Sequence, residues 1–197
     1  MEEIAQSPNS PARTRRRAPD RKSPIRRLSL AMRRLLLRLR CLYLRRLGMD
    51  IHPDTQISLK AHLDRTNPRG IHIGEGTLVA FGAVILSHDL ARVIHTDTYI
   101  GKNCFIGAHA IILPGIRVGD NSIVATGSVV TRDVASNTLV GGNPARVIRT
   151  NIRTLKWGIL EESFETAVQL QAEAAGLQGM VLRQCWKPRL RRSGFPA

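Results

Sequence analysis

Aliphatic residues recur at every sixth position through the middle of the chain. The longest run keeps register over six repeats, and all of its members are β-branched: Ile100, Ile106, Ile112, Val118, Val124 and Val130. Two earlier blocks carry the same spacing, the second more weakly: Ile73, Val79 and Ile85, then Ile51, Ile57 and Leu63. A six-residue period of this kind is typical of a solenoid built from hexapeptide repeats.

The period predicts a three-sided coil in which one aliphatic side chain points inward from each side. One repeat cannot bury its own aliphatic side chain, but stacked coils can. We expect the next residue, often Gly or Ala, to form a tight corner. The residue four positions on is usually small and is expected to face inward. The repeat therefore predicts a mainly β domain, a parallel β-helix, whose thin aliphatic core needs few of the aromatic residues that make up only 4% of the chain.

Two breaks in the period predict loops that leave the coil. Ten residues rather than six separate Leu63 from Ile73, and fifteen rather than twelve separate Ile85 from Ile100. These spacings place about four extra residues near 64–72 and about three near 86–99. Loops on a rigid scaffold are where binding and catalytic residues concentrate, so these two segments are the first candidates for a functional site.

A basic amphipathic helix is predicted at residues 25–47, ending at Gly48. One face is apolar: Leu28, Ala31, Met32, Leu35, Leu36, Leu39, Leu42 and Tyr43. The other is rich in arginine: Arg26, Arg27, Arg33, Arg34, Arg38, Arg40 and Arg45. Leu30, Leu37 and Leu44 fall on the arginine side. Such a helix suits an anionic membrane surface, and the alternative is that its leucine face packs on its own body or on a sister subunit.

The net charge of +15 is concentrated at the two ends of the chain. Residues 1–47 carry 14 Lys and Arg against 3 Asp and Glu, residues 48–182 carry 11 against 12, and residues 183–197 carry 5 against none. The chain therefore divides into a disordered basic arm (1–24), the basic helix (25–47), the β-helix domain (48–149), and a C-terminal helical segment with a basic tail (150–197). Residues 1–47 contain no aromatic residue beyond Tyr43 and the arms carry no recognised nucleic-acid motif, so no specific nucleic-acid partner is expected.

Three widely spaced cysteines, Cys41, Cys104 and Cys185, predict no disulfide scaffold and fit a reducing compartment. No run approaches the length of a membrane span, because arginines interrupt the leucine-rich stretch. We expect a cytoplasmic protein with peripheral contact at the inner membrane surface through residues 25–47.

Residues 71–148 resemble the hexapeptide-repeat acyltransferases, and within them the bacterial sugar and polysaccharide O-acetyltransferases. The resemblance is carried by the following segments: Ile73-Gly74-Glu75, Leu86-Ser87-His88-Asp89, Ile100-Gly101-Lys102-Asn103-Cys104-Phe105-Ile106-Gly107, Gly119-Asp120-Asn121-Ser122, Thr126-Gly127-Ser128-Val129-Val130-Thr131-Arg132-Asp133 and Gly141-Gly142-Asn143-Pro144-Ala145-Arg146. It implies a left-handed β-helix, a homotrimer with each active site between two subunits, acetyl-CoA as co-substrate with no metal, and a sugar or glycan acceptor.

The same resemblance implies the catalytic residues. His88 lies in the second phase break, where the family carries its general base, and would take the proton of an acceptor hydroxyl. Asp64, in the first break, would orient His88 or accept a hydrogen bond from the sugar, although an aspartate there also suits a loop turn. Asp89 would tune His88 or steer the acceptor. The other histidines are interpreted as surface or coil residues: His52, His62, His72, His95 and His109.

The residues implied for acetyl-CoA follow the cofactor along the coils. Phe105 and Ala108 would line the thioester end, with the Ala108 N–H directed at the developing oxyanion. Thr126, Thr131 and Arg132 would line the pantetheine arm and phosphates. Arg146 and Arg149 would meet the phosphorylated adenosine end, since a guanidinium binds two phosphate oxygens at once.

Other functions are open at this point. Serine O-acetyltransferase shares the fold, but that family carries a histidine where this chain has Arg65. A γ-type carbonic anhydrase needs closely spaced histidines, whereas His88, His95 and His109 are seven and fourteen residues apart. A further alternative is a non-catalytic β-helical scaffold with basic arms.

Overall fold

The computed structural model describes residues 24–174, which form a β-helix with one α-helix at each end. The helix α1 (Pro24–Arg46) precedes the strands and α2 (Glu161–Ala174) follows them. The prediction of a mainly β protein is therefore confirmed. The arm expected at 1–24, apart from Pro24, and the basic tail lie outside the described residues.

Three sheets of parallel strands form the three faces of the β-helix. The first face contains β1 (Asp50–Ile51), β4 (Ile71–Ile73), β9 (Thr98–Ile100) and β12 (Arg117–Val118). The second contains β2 (Gln56–Ile57), β5 (Leu78–Val79), β10 (Phe105–Ile106), β13 (Ile123–Val124) and β15 (Leu139–Gly142), with β16 (Ala145–Arg149) added antiparallel. The third contains β3 (His62–Leu63), β6 (Val84–Ile85), β11 (Ile111–Ile112) and β14 (Val129–Val130). The chain visits the faces in this order on every turn, so each coil stacks on the one before it.

All twelve periodic aliphatic residues point into the core, as predicted. None exposes more than 7% of its surface, and equivalent residues pair directly between coils, as Ile51 does with Ile73 and Ile73 with Ile100. The residues four positions on are also buried, from Cys104 to Val134. The registered stack therefore buries a continuous aliphatic column, which is the main apolar contribution to stability.

The position of the corner was predicted wrongly. The left-handed backbone conformation occurs three residues after seven of the twelve aliphatic positions, rather than one residue after them: Gly76, Gly82, Asn103, His109, Gly115, Asn121 and Gly127. The small residue directly after the aliphatic serves a different purpose. A Cβ placed on Gly107 would lie 2.6 Å from the backbone nitrogen of Thr126, so a larger side chain would collide with the next coil.

The helix α1 packs on the first coil with the side that the amphipathic pattern assigned to arginine. Leu44 is 2% exposed and joins the aliphatic core, and Cys41 packs beside it. Arg40 donates hydrogen bonds to the carbonyl oxygens of Leu59 (2.8 Å) and Ala61 on this coil. The leucine face is not packed on the chain's own body, so that alternative is wrong for the single chain.

The C-terminal segment, predicted to be helical from residue 150, is helical in the described residues only over Glu161–Ala174. It begins with the short antiparallel strands β17 (Thr154–Leu155) and β18 (Ile159–Leu160), which flank a 3₁₀ turn at Lys156–Gly158. Leu160 is therefore in a strand, and Ala167 in α2 is exposed. The Thr154 hydroxyl donates to the Asn103 carbonyl (2.8 Å), and this contact ties the segment to the outside of the coils.

Neither described helix combines the length and the apolar character that a bilayer span requires.

Candidate active site

Asp64 and His88 lie side by side at the corner between the third face and the first. Asp64 directly follows β3, and His88 comes three residues after the end of β6, which pairs in parallel with β3. Parallel neighbours end at the same edge of a sheet, so the two phase breaks leave the β-helix together. The first break contains a 3₁₀ turn at Pro68–Gly70. The second forms a hairpin of β7 (His88–Asp89) and β8 (Ile94–His95).

The carboxylate of Asp64 accepts four N–H groups, although its side chain is only 2% exposed. Its Oδ1 accepts the backbone N–H of Thr66 at 2.9 Å, which closes the loop turn. Its Oδ2 accepts the backbone N–H groups of Ser87 (2.9 Å) and His88 (3.0 Å), and it also bonds Nδ1 of the His88 ring. Asp64 therefore closes a turn and orients His88 at the same time, so the two roles considered from the sequence are compatible.

These hydrogen bonds determine the protonation of the pair. Burial opposes the charge of Asp64, but the bonds from the His88 ring and from the Ser87 and Thr66 amides outweigh it and lower the pKa of Asp64 to about 2. An ionised carboxylate can only accept hydrogen bonds, so Nδ1 of His88 must carry the proton that it shares with Asp64. In neutral His88, Nε2 is then the unprotonated nitrogen, on a side chain that is 28% exposed.

Further hydrogen bonds connect the two loops, and sequence reasoning missed them. The Asn67 amide donates to the Ser87 carbonyl (3.0 Å), and the Ser87 hydroxyl donates to the Asn67 carbonyl (2.6 Å). The backbone N–H of Thr96 also donates to the Ser87 carbonyl (2.9 Å). The available signal was the position of these polar residues inside the two phase breaks. They fix Ser87, the residue directly before His88, and so restrain the backbone that carries the His88 ring.

Asp89 and His95 occupy the hairpin beyond His88. The carboxylate of Asp89 bonds Arg92, through Nε at 2.7 Å and the backbone N–H at 3.1 Å, rather than His88. These bonds from Arg92 lower the pKa of Asp89. His95 is paired with His88 across the hairpin, with ring centroids 6.2 Å apart. His95 is exposed, as the sequence predicted, and of the two it is the residue whose ring faces His88.

The residues implied for acetyl-CoA are divided between two corners of the β-helix. Thr131 and Arg132 follow β14 at the corner that also carries Asp64 and His88. Ala108 and Thr126 lie at the corner between the second and third faces, on adjacent coils joined by a hydrogen bond from the Gly127 N–H to the Ala108 carbonyl (2.8 Å). Within the described residues, the Ala108 N–H has no hydrogen-bond acceptor.

Phe105 and the two C-terminal arginines lie in surroundings that the sequence did not indicate. Phe105 is on the second face, and Gly158 lies against its backbone. Arg146 is exposed on β16, whereas Arg149 forms a two-pronged ion pair with Glu162 of α2, at 2.5 and 2.7 Å. That pair raises the pKa of Arg149 and occupies both guanidinium nitrogens that a phosphate would bind.

Cysteine chemistry and metal ligation have little support in the described part of the chain. The Cys104 side chain is fully buried, and burial raises the pKa of its thiol to about 11, so it is a core residue rather than a nucleophile. Among residues 24–174, no group of three or more His, Cys, Asp or Glu has a metal-binding arrangement. The pair of Asp64 and His88 is therefore the candidate active site.

The repeat region of the chain matches known acetyltransferases. The family model described as the hexapeptide repeat of succinyl-transferase matches residues 98–132. The chain is 35% identical to the protein YvoF of Bacillus subtilis over 113 residues, which are 55% of this chain and 64% of that protein. It is 32% identical to the galactoside O-acetyltransferase of Escherichia coli over 111 residues, 52% of this chain and 55% of the relative. The resemblance to the hexapeptide-repeat acyltransferases is confirmed.

A third relative is a serine acetyltransferase, the alternative activity considered from the sequence. Serine acetyltransferase 2 of Arabidopsis thaliana is 36% identical over 107 residues, 52% of this chain and 32% of the relative. In all three comparisons the chain spans less than two thirds of the relative's length. The matches therefore concern the shared repeat region, and the acceptor is a separate question.

Proposed function

We propose that the protein is an acetyl-CoA-dependent O-acetyltransferase that acts on a hydroxyl group of a sugar or glycan precursor. The observation that carries this proposal is the bond between the buried Asp64 carboxylate and Nδ1 of His88, which leaves Nε2 on the far side of the ring as the nitrogen that can accept a proton in the neutral form. A base of this kind, on a loop outside a rigid coil, suits proton removal from a bound hydroxyl. The similarity to a galactoside O-acetyltransferase supports a sugar hydroxyl as that group.

The proposed reaction needs no covalent enzyme intermediate. His88 Nε2 takes the hydroxyl proton while the oxygen attacks the thioester carbonyl carbon of acetyl-CoA. The carbon–sulfur bond then breaks, and the departing sulfur takes the proton back from His88. Asp64 stabilises the imidazolium that exists between these proton transfers, and Cys104 is too deeply buried to compete as a nucleophile.

The residues present fit the thioester end of acetyl-CoA better than its distant end. Ala108 offers a backbone N–H without another acceptor, which would stabilise negative charge on the carbonyl oxygen. Thr126, Thr131 and Arg132 are available to line the arm and the phosphates. Arg146 is exposed and bonds the neighbouring Ala145 carbonyl, whereas Arg149 would first have to leave Glu162 to meet a phosphate. We therefore assign phosphate binding to Arg132 and Arg146 before Arg149.

The proposed active site lies between two copies of the chain in a homotrimer. His88 and Ala108 are at different corners of one β-helix, so a single chain does not bring the base to the oxyanion donor. A neighbouring copy that places its Ala108 corner against the His88 corner would complete the site. In this arrangement His95 and the hairpin tip face the acceptor, and His95 is the residue that we propose contacts it.

We propose the cytoplasm, at the inner membrane surface, as the place of action. The two cysteines in the described chain, Cys41 and Cys104, are unpaired, which suits a reducing compartment. Acceptors made at that surface include lipid-linked and polymer-precursor glycans, and these belong in the substrate panel.

Removing the base tests the proposal. His88→Ala should lower the turnover number by roughly 10² to 10⁴ while the affinity for acetyl-CoA changes little, because the ring acts on the hydroxyl proton. CoA release is measured against sugars, nucleotide sugars, lipid-linked glycans and serine. His62→Gln is the matched control, since His62 is an exposed histidine on the neighbouring strand β3.

The outcomes separate the alternatives. Transfer to sugars that depends on His88 supports the proposal, whereas transfer to serine alone replaces the acceptor. A folded protein that binds no acetyl-CoA and releases no CoA with any acceptor would favour the scaffold.

A further inference from the structure

The helix α1 has two apolar sides, and the β-helix uses only one of them. Leu44 and Cys41 pack on the first coil. The opposite side forms an outer stripe of seven large apolar side chains that expose between 45% and 67% of their surface: Leu28, Met32, Leu35, Leu36, Leu39, Leu42 and Tyr43. An exposed apolar stripe of this length marks a surface that another molecule covers.

The charges around the stripe indicate what that molecule is. The 23 residues of α1 contain eight arginines and no acidic residue. Arg33, Arg38, Arg45 and Arg46 are exposed. Arg40 is the exception, because it is committed to the carbonyls of Leu59 and Ala61. A partner surface must therefore combine an apolar interior with negative charge at its rim.

We propose that the outer stripe docks α1 on an anionic lipid bilayer, with the leucines in the acyl region and the exposed arginines at the phosphate headgroups. This is the arrangement of interfacial amphipathic helices. It also agrees with the chain that precedes the helix, where residues 1–23 carry six Lys and Arg against three acidic residues. This proposal rests on the membrane-surface location proposed above and names the surface that makes the contact. Its test measures lipid binding rather than catalysis, so the two proposals can fail separately.

A second copy of this chain fits the stripe less well. Pairing two α1 helices along their stripes would bring the exposed arginines of one helix towards those of the other, with no carboxylate from either helix between them, and like charges at an interface disfavour association. Residues 48–182 do not supply enough negative charge to offset this repulsion, since they carry 11 basic against 12 acidic residues. An anionic bilayer provides both the apolar phase and the opposite charge.

Vesicle sedimentation of the full chain tests the docking. The wild-type protein should bind vesicles of phosphatidylglycerol and phosphatidylcholine in equal parts, should bind pure phosphatidylcholine far less, and should be released by high salt. The double variant Leu35→Gln, Leu39→Gln removes two residues from the middle of the stripe. It should weaken binding by roughly tenfold or more, because each leucine loses its apolar burial in the bilayer.

A matched control removes the same number of exposed apolar residues elsewhere. Leu90 and Val93, at the hairpin tip, expose 82% and 83% of their surface, so Leu90→Gln, Val93→Gln should bind vesicles as the wild type does. The circular-dichroism melting curve of each variant establishes that it is folded.

Three results would overturn the proposal. The proposal fails if the wild type does not sediment with anionic vesicles, and it also fails if the wild type binds them no better than the stripe variant does. Sedimentation velocity provides the third: if the stripe variant loses subunits while wild-type assemblies ignore lipid, the stripe is an interface between copies.

Discussion

Asp64 is the residue on which the candidate site depends, because one buried carboxylate satisfies N–H groups from both loops. It binds Thr66 in its own loop and Ser87 and His88 in the other. A neutral side chain at this position would keep part of the geometry and lose the charge. The residue therefore couples the protonation of the site to the stability of the fold.

Asp64→Asn should destabilise the protein at neutral pH by about 2 kcal/mol, the linkage value for a carboxyl whose pKa falls from its ordinary 3.8 to about 2 on folding. Since the folded pKa is depressed, this contribution is complete above the ordinary pKa and is lost as the pH falls towards 2. The free-energy difference between wild type and variant should therefore shrink on acidification. Denaturant titrations at neutral pH and at progressively lower pH measure it, and a pH-independent difference would contradict the coupling.

The coil is the element that the sequence predicts best, because its period repeats one steric requirement many times. Each inward aliphatic residue sits between equivalents above and below, so Ile106 is identifiable from its neighbours alone. The corner was predicted at the wrong position because glycine serves two purposes in the coil. Gly107 allows close approach of the next coil, whereas Gly127 adopts a left-handed turn, and the sequence does not distinguish these two roles.

The sequence pattern also failed to show which side of α1 packs on the β-helix. Its periodicity shows two apolar stripes, and periodicity does not say which of them a first coil will bury. The position of Asp64 in a phase break was predictable, whereas its bonds to Ser87 and Thr66 depend on loop backbone geometry that no spacing encodes. The proximity of His95 to His88 likewise depends on the register of the hairpin.

The two kinds of coil glycine should respond differently to substitution. Gly107→Ala should cost about 2 kcal/mol of unfolding free energy, because the added carbon meets the backbone of Thr126 and the coils must separate. Gly127→Asn should stay within about 0.5 kcal/mol, because nothing lies within 4 Å of an added Cβ and Asn occupies equivalent corners at Asn103 and Asn121. Chemical denaturation of both variants measures the contrast. Equal losses would mean that the corner conformation, rather than the stacking distance, limits these positions.

At the scale of the whole molecule, the proposed catalytic pair and the proposed oxyanion donor lie at separate corners of the β-helix. The stacked coils do not bend to join them, so the proposed chemistry requires two chains in contact. A site assembled this way combines one chain's Asp64 and His88 with another chain's Ala108 and Thr126. Activity should therefore depend on which faces meet, rather than on any one chain being intact.

Complementation tests the shared site. His88→Ala and Thr126→Trp should each be inactive alone, the first lacking its base and the second having a blocked cofactor corner. Trimers reassembled from equal amounts of both should recover about a quarter of the wild-type sites, since one interface in four pairs two intact faces. The CoA-release assay measures the recovery, and separately folded chains mixed without reassembly are the control. No recovery would indicate that each chain carries a complete site.

Stacked coils of the same shape can in principle accept a further coil at either end. In this protein the hydrogen bonds of Arg40 cap the first coil. The strands β1, β2 and β3 form the rim of the first coil, with backbone groups that face outward from the stack. By binding the carbonyls of Leu59 and Ala61, Arg40 uses acceptors that an extended segment of another molecule would otherwise pair with. The helix α1 therefore has a structural role besides its proposed docking on a bilayer: it closes one end of a β-helix that could otherwise lengthen into a filament.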